Sequence, residues 1–207
     1  MVCPTVSGTL MILLVAGLAL FLGTHLFTAL REPRAALVGR LGEGGYKGLY
    51  SLLSLAGIVL ISIGYGRYRA EGWVDVWYPP VWTRHLALTL VLVAFVAMAA
   101  AYLPGRIKSA LKHPMLVAVK VWALAHLLAN GDLGSILLFG SILAWAVIAR
   151  ITLKRRRDEV RDHAGPIVEA GGVRNDIAAV ATGVVAWFVF ARWLHPLWIG
   201  VPVWPGA

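Results

Sequence analysis

Long apolar runs alternate with short polar segments along the chain, and six of the runs are long enough to cross a bilayer. Lipid cannot satisfy an open backbone, so each apolar run is predicted to be a helix. The pattern predicts an all-α fold, a polytopic transmembrane helical bundle of about six spanning helices. The predicted spans cover approximately residues 6–30, 46–65, 84–103, 115–130, 132–150 and 177–198.

Polar and helix-breaking residues mark where the spans end. REPR and LPGR place charge and proline after the first and third spans. Between the fourth and fifth spans, ANGD offers Gly131 as a helix C-cap and Asp132 as the N-cap of the next helix. We therefore expect these two spans to form a tight hairpin.

The lysines and arginines between the spans are distributed asymmetrically. Residues 31–47, 104–114 and 150–176 hold fourteen of them and the opposite side holds three, Arg67, Arg69 and Arg84. Cytoplasmic loops carry the excess of positive charge, so both termini are predicted to lie outside the cytoplasm. In a bacterium this corresponds to the inner membrane with periplasmic N- and C-termini.

Composition supports the membrane assignment and excludes other classes. The chain is 59% hydrophobic and 14% charged, far from a soluble domain. Its net charge of +9 falls largely in the predicted cytoplasmic loops, so nucleic-acid binding is not expected. The lone Cys3 excludes an internal disulfide. The lipid bilayer is therefore the first expected partner.

Two histidines, His25 and His126, lie well inside predicted spans, where ionisable side chains are costly and indicate function. On a helical wheel His126 shares a face with Trp122 and Asn130, and His25 shares one with Thr28. An aromatic wall and a nearby hydrogen-bond acceptor suit a histidine-ligated planar cofactor. The same arrangement suits an interhelical hydrogen bond, so the residues alone leave both interpretations open.

Depth in the membrane leaves the pairing of these histidines open as well. His25 lies on the cytoplasmic side of the centre of its predicted span, and His126 lies on the periplasmic side of the centre of its own. With the rise per residue of an α-helix, the two residues differ in height by roughly 16 Å. A tilted haem with one histidine on each face could bridge much of that height. The rival pairing joins His126 with His85 or His195, which the predicted topology places on the same side.

Lys120 lies near the middle of the fourth predicted span and needs an anion there. Asp and Glu are almost absent from the spans, so a carboxylate or phosphate of a ligand or lipid is one candidate partner. Snorkelling to the interface is the alternative. Motifs of hydrolases and nucleotide-binding proteins are missing from the sequence.

Five segments, covering most of residues 15–151, closely resemble the NnrU family of bacterial membrane proteins. They are GLALFLGTHLFTALR, RLGEGGYKGLYSLLSLAG, PPVWTRHL, AAYLPGRIKSALKHPMLVAVKVWALAHLLANGD and LLFGSILAWAVIARI. That family is associated with nitric oxide metabolism and denitrification in proteobacteria. The resemblance implies a single transmembrane domain over residues 1–207.

The same domain is similar to the plastid zeta-carotene isomerases, which use haem b. Their proposed haem ligands correspond to His25 in GTHL and His126 in WALAH, so the resemblance favours this pair. A cysteine proposed as an alternative ligand in the isomerases is replaced by Ala123, which has no donor atom. The resemblance therefore implies haem binding more than carotene isomerisation.

A more distant similarity connects KHPMLVAV to isoprenylcysteine-type methyltransferases, whose basic-His-Pro motif helps form an S-adenosylmethionine site. In this chain the motif is Lys112, His113 and Pro114. The paired glutamates that complete the methyltransferase site are matched only weakly, by the segment RRDEVRD.

The sequence predicts an integral membrane protein, and the resemblance implies that it binds haem b and serves nitric oxide and denitrification metabolism. His25 and His126 are the expected iron ligands, Lys120 is the candidate partner of a haem propionate, and Asn130 belongs to the same cofactor site. Three alternatives differ in class: a cis-trans isomerase of a small apolar polyene-like substrate, a methyltransferase, and a cofactor-free accessory protein.

Overall fold

The computed structural model describes the backbone of residues 4–160 and 172–204, and the side chains of residues 11–155 and 172–204. Cys3 and much of the predicted loop 150–176 lie outside the described residues. The described chain is helical and contains no β-strand. Its helices, in order, are α1 (Pro4–Phe27), α2 (Arg31–Glu71), α3 (Val81–Tyr102), α4 (Arg106–Leu111), α5 (Pro114–Ala129), α6 (Leu133–Val160), α7 (Val173–Val189), a π-helical turn (Phe190–Leu194) and α8 (His195–Ile199).

The predicted all-helical class is confirmed, and the described chain contains four helices long and apolar enough to cross a membrane. These segments are Arg31–Glu71, Val81–Tyr102, Leu133–Arg155 and Val173–Ile199. Two further apolar stretches are shorter, Met11–Phe27 and Pro114–Ala129. With 16 residues, α5 is about 24 Å long, less than the roughly 30 Å of a hydrocarbon core. The count of six spans therefore stays a prediction.

Two of the charged segments that were predicted to face the cytoplasm contain helices. Residues 31–47 are helical, because α2 begins at Arg31 and runs for 41 residues, interrupted at Gly42 with φ 71° and ψ 166°. The predicted loop 104–114 contains α4. Charge marks where a chain leaves the apolar core of a membrane, but Lys, Arg and Glu are also good helix formers. Helices therefore continue through both charged segments.

The predicted caps between the fourth and fifth spans were half right. Asp132 does cap α6, since its Oδ1 accepts the Ser135 backbone N–H at 2.9 Å. The C-cap of α5 is Asn130 and not Gly131. The Gly131 carbonyl instead accepts the N–H groups of Val76 and Trp77, at 2.9 and 3.1 Å.

The chain divides into two compact units. The first contains Met1–Tyr78 and Gly131–Trp145, and the second contains Pro79–Asn130 and Ala146–Ala207. Helices α1 and α2 with the first half of α6 belong to the first unit. The second unit holds α3, α4, α5, α7 and α8 with the remainder of α6.

Glycines bring the backbones of α1 and α2 together in the first unit. A Cβ added at Gly57 would lie 2.8 Å from the Phe21 Cβ, and one at Gly64 would lie 2.5 Å from the Leu14 backbone nitrogen. Small residues at such crossings permit close helix packing in membranes, where van der Waals contact drives association. The fully buried Leu14 lies at the centre of this contact.

Alanines permit close helix packing in the second unit, where α3 packs on α5 and α7. The Cα of Val96 on α3 would lie 2.6 Å from a Cβ added at Gly183 of α7. The buried small residues of α3 and α5 are Ala87, Ala94, Ala97, Ala100, Ala118, Ala123 and Ala125. Smooth helix faces thus let α5, which carries His126, lie directly against α3.

Candidate functional site

His25 lies in the last turn of α1, within an aromatic cluster of the first unit. Its ring centroid lies 4.2 Å from that of Phe21 and 5.3 Å from those of Tyr50 and Trp145, with the Trp145 ring edge-on. The close approach at Gly57 holds Phe21 against α2 and so helps position the cluster. Three helices, α1, α2 and α6, thus supply the walls around this imidazole.

The ring of His25 is oriented by its own helix. Its Nδ1–H donates to the Phe21 carbonyl, four residues earlier, at 2.8 Å. A carbonyl oxygen only accepts, so the hydrogen bond fixes the proton of a neutral ring on Nδ1 and the lone pair on Nε2. Nε2 is therefore the nitrogen that could bind a metal.

His126, in the last turn of α5, repeats the arrangement in the second unit. Its Nδ1–H donates to the Trp122 carbonyl at 2.8 Å, and its ring centroid lies 4.8 Å from that of Trp122. The neighbouring Ala123 and Ala125 are fully buried. Both histidines thus orient Nε2 for ligation, and each packs on the aromatic ring one turn before it.

Asn130 and Lys120 lie on the same polypeptide segment as His126 but play different parts. The Asn130 side chain donates to the His126 backbone carbonyl at 2.9 Å and caps α5. The Trp122 carbonyl, rather than Asn130, accepts the Nδ1–H of His126. Lys120 is half-buried and forms no ion pair with any side chain that the structure describes.

His195, one of the two rival ligands, follows the π-helical turn in the second unit. Its backbone N–H donates to the Phe190 carbonyl, five residues earlier. Pro196 lacks an N–H, and its ring would clash with the Arg192 carbonyl in a regular helix, so the wider turn relieves that clash. The His195 Nδ1–H donates to the Val201 carbonyl at 2.8 Å, which again leaves the lone pair on Nε2.

His126 and His195 belong to the same compact unit. His25 belongs to the other compact unit. His85, the second rival, is an exposed residue of α3. The described residues contain no cluster of three or more His, Cys, Asp or Glu side chains suited to a bare metal ion. A haem iron needs only one or two protein ligands.

A buried polar chain in the first unit was not predicted from the sequence. Arg69 Nη1 donates to Asp132 Oδ2 at 2.9 Å, and the Ser135 hydroxyl donates to the same oxygen at 2.6 Å. Because Ser135 donates its proton there, the Tyr65 hydroxyl at 2.7 Å donates to Ser135 Oγ. The Asp132 side chain is 3% exposed and that of Arg69 is 32% exposed.

This polar chain anchors the segment that follows α2. Asp75 and Asp132 form an isolated antiparallel bridge, and the Leu133 N–H donates to the Val74 carbonyl at 2.8 Å. The Val74 N–H in turn donates to the hydroxyl of the buried Tyr68 at 3.0 Å. Arg69 and Asp132 are 63 residues apart, so no local sequence pattern predicts their contact. The sequence showed only that Asp132 is a charged residue beside a predicted span.

Comparison with known proteins gives a family match. No match to the chain was found among curated proteins or among solved structures. The family described as NnrU protein matches residues 13–203, which include every helix from α2 to α8. The chain is therefore a multi-pass membrane protein that belongs to the NnrU family.

Proposed function

We propose that this NnrU-family protein binds haem b through neutral histidines and serves nitric oxide and denitrification metabolism. The observation that carries the proposal is the shared geometry of His25 and His126. Each donates Nδ1–H to the carbonyl four residues earlier and so directs its lone pair to Nε2. A ligating histidine almost always has its other ring nitrogen held in this way.

The surroundings of the two imidazoles fit a macrocycle. Aromatic rings of Phe21, Tyr50 and Trp145 surround His25, and Trp122 packs on His126. Such rings supply flat apolar surface and keep water from a neutral ring. When bound, haem b would supply a one-electron couple and an iron centre with affinity for nitric oxide.

Lys120 is the candidate partner of a haem propionate. An ammonium in an apolar helix is costly without an anion, and no described carboxylate forms an ion pair with it. Asn130 would support the site indirectly, because its hydrogen bond to the His126 carbonyl holds the last turn of α5. In this proposal Lys120 binds the cofactor and Asn130 positions its ligand.

His126 is the proposed first ligand, and two histidines compete for the second position. The family resemblance favours His25. His195 is favoured because it belongs to the same compact unit as His126 and because the Val201 carbonyl accepts its Nδ1–H. If two histidines held the iron, one of them would have to leave before nitric oxide could bind, so we expect slow or redox-gated binding.

The test is the absorbance spectrum of the protein purified from haem-replete cells. We expect stoichiometric haem b and a six-coordinate low-spin spectrum in the reduced wild type. His126→Ala should give five-coordinate iron or lose the haem. Of His25→Ala and His195→Ala, the one that reproduces this change identifies the second ligand. His85→Ala and His113→Ala remove comparable imidazoles and should leave the spectrum unchanged.

A wild type that lacks stoichiometric haem would refute the proposal. So would a spectrum that is indifferent to His25, His126 and His195 together. Either result would leave these histidines as hydrogen-bonding residues between helices and would favour a cofactor-free accessory function. Haem with normal ligation but no nitric oxide binding in either redox state would move the function toward the isomerase alternative.

A further inference from the structure

A cavity of about 230 Å³ lies in the second unit, where the end of α3, the short α4 and the start of α5 come together. Lys108, Lys112 and His113 line one part of it, and Met115, Leu116 and Leu153 supply aliphatic surface. Its volume is roughly seven times that of one water in the liquid. A cavity that combines cations with aliphatic carbon suits an anionic amphiphile better than a simple ion.

Lys108 is anchored beside this cavity. Its Nζ donates to the Ala101 carbonyl at 2.8 Å, near the C-terminus of α3, where the helix dipole favours a cation. An ammonium has three N–H donors, so two remain for other acceptors. The anchor therefore holds a positive charge at the wall of the cavity and leaves it able to bind an anion.

Lys112 reaches the cavity from an unusual backbone conformation. Its φ is 60° and its ψ is −42°, and the His113 N–H donates to the Leu111 carbonyl at 2.6 Å, closing a three-residue turn. L side chains rarely adopt this conformation, and glycine would adopt it without the steric cost. A residue other than glycine in such a backbone conformation points to a functional constraint at this position.

The described side chains around the cavity carry more positive than negative charge. Lys108 and Lys112 are four residues apart, so their like charges repel. Among the described side chains of this unit the one carboxylate is Asp176, whose Oδ1 accepts the Ile107 N–H at 2.9 Å. Neither lysine forms an ion pair with a described residue. The N-terminus of α5 adds further positive potential.

We propose that this cavity binds the phosphate group of an anionic phospholipid. Lys108 and Lys112 contact the phosphate, while Met115, Leu116 and Leu153 contact the adjoining part of the acyl chains. A zwitterionic headgroup carries its own cation, which competes with the lysines for the phosphate. The site therefore discriminates by headgroup charge and operates independently of haem.

The test measures lipid binding to the purified full-length protein in a neutral detergent by native mass spectrometry at physiological ionic strength. Phosphatidylglycerol should bind at least tenfold more tightly than phosphatidylcholine with the same acyl chains. Lys112→Gly removes the charge and also relaxes the backbone, so it should weaken phosphatidylglycerol binding about tenfold without lowering thermal stability. Lys108→Gln should weaken it to a similar degree.

Lys154→Gln is the matched control, because it removes one exposed lysine next to Leu153 without altering the cavity. Its effect should stay below about threefold, since salt screens exposed charges. Equal binding of the two lipids, or equal effects of Lys112→Gly and Lys154→Gln, would overturn the proposal. Inorganic phosphate or glycerol phosphate binding as tightly as phosphatidylglycerol would also overturn it, by showing that the lipid portion contributes nothing.

Discussion

Replacing Asp132 by alanine tests how strongly the buried polar chain holds the first unit together. The substitution removes the cap of α6, worth about 1 kcal/mol. It also removes the charge-assisted bonds from Arg69 and Ser135, worth about 1.5–3 kcal/mol. Breaking a fully buried pair costs more, but Arg69 is 32% exposed and can turn to solvent, so we discount that penalty. The expected loss is about 3 kcal/mol.

Thermal unfolding in detergent, followed by circular dichroism, measures this loss. For a chain of this size about 3 kcal/mol corresponds to a fall of roughly 6–12 °C in Tm. Asp132→Asn keeps an oxygen for the cap and removes only the charge, so it should cost roughly half as much. Comparing Arg69→Met, Asp132→Ala and the double variant should reveal a coupling between the two residues.

The matched control is the exposed ion pair of Glu43 and Lys47. Its N–O distance, 2.8 Å, is similar to the 2.9 Å between Arg69 and Asp132, but its side chains are 70–74% exposed. Glu43→Gln should leave Tm unchanged, because water and salt already screen that pair. Equal Tm values for Asp132→Ala and Glu43→Gln would refute the reasoning that burial, rather than distance, determines the contribution of the pair.

Three other predictions address packing, cofactor retention and topology. Gly64→Ala should destabilise the α1–α2 contact by about 1–3 kcal/mol, because the added Cβ would meet the Leu14 backbone. Gly66 has open space around it, so Gly66→Ala should be neutral or slightly stabilising. Unfolding curves of the two variants measure the difference in stability. Lys120→Met should insert normally but lose haem faster during purification, and unchanged retention would favour snorkelling. Cysteine labelling in intact cells should modify Cys3 from the periplasmic side, whereas cytoplasmic labelling would invert the predicted topology.

Local features of the fold could be predicted from the sequence. The apolar runs indicated helices because a bilayer admits few alternatives. Asp132 was identified as a cap because capping depends on residues three positions apart. The helical structure of residues 31–47 was not predicted, because hydropathy reports membrane depth and not where a helix begins. The α2 helix therefore extends well beyond the predicted span.

Non-local features could not be predicted in the same way. The pairing of Arg69 with Asp132 joins residues 63 positions apart, and one sequence contains no signal of that contact. The π-helical turn had a signal, Pro196 within an apolar run, but proline also permits a simple kink. The position of His25 and His126 within apolar runs could be seen in the sequence, whereas the carbonyl that accepts each Nδ1–H could be identified only from the structure.

The interruption of α2 has a consequence for which sequences can encode this helix. Gly42 combines φ 71° with ψ 166°, a region that is essentially restricted to glycine. Gly39, Gly44 and Gly48 have open space around them and negative φ values, so other residues fit there. In a library of single substitutions, position 42 should thus tolerate one residue type while its glycine neighbours tolerate many.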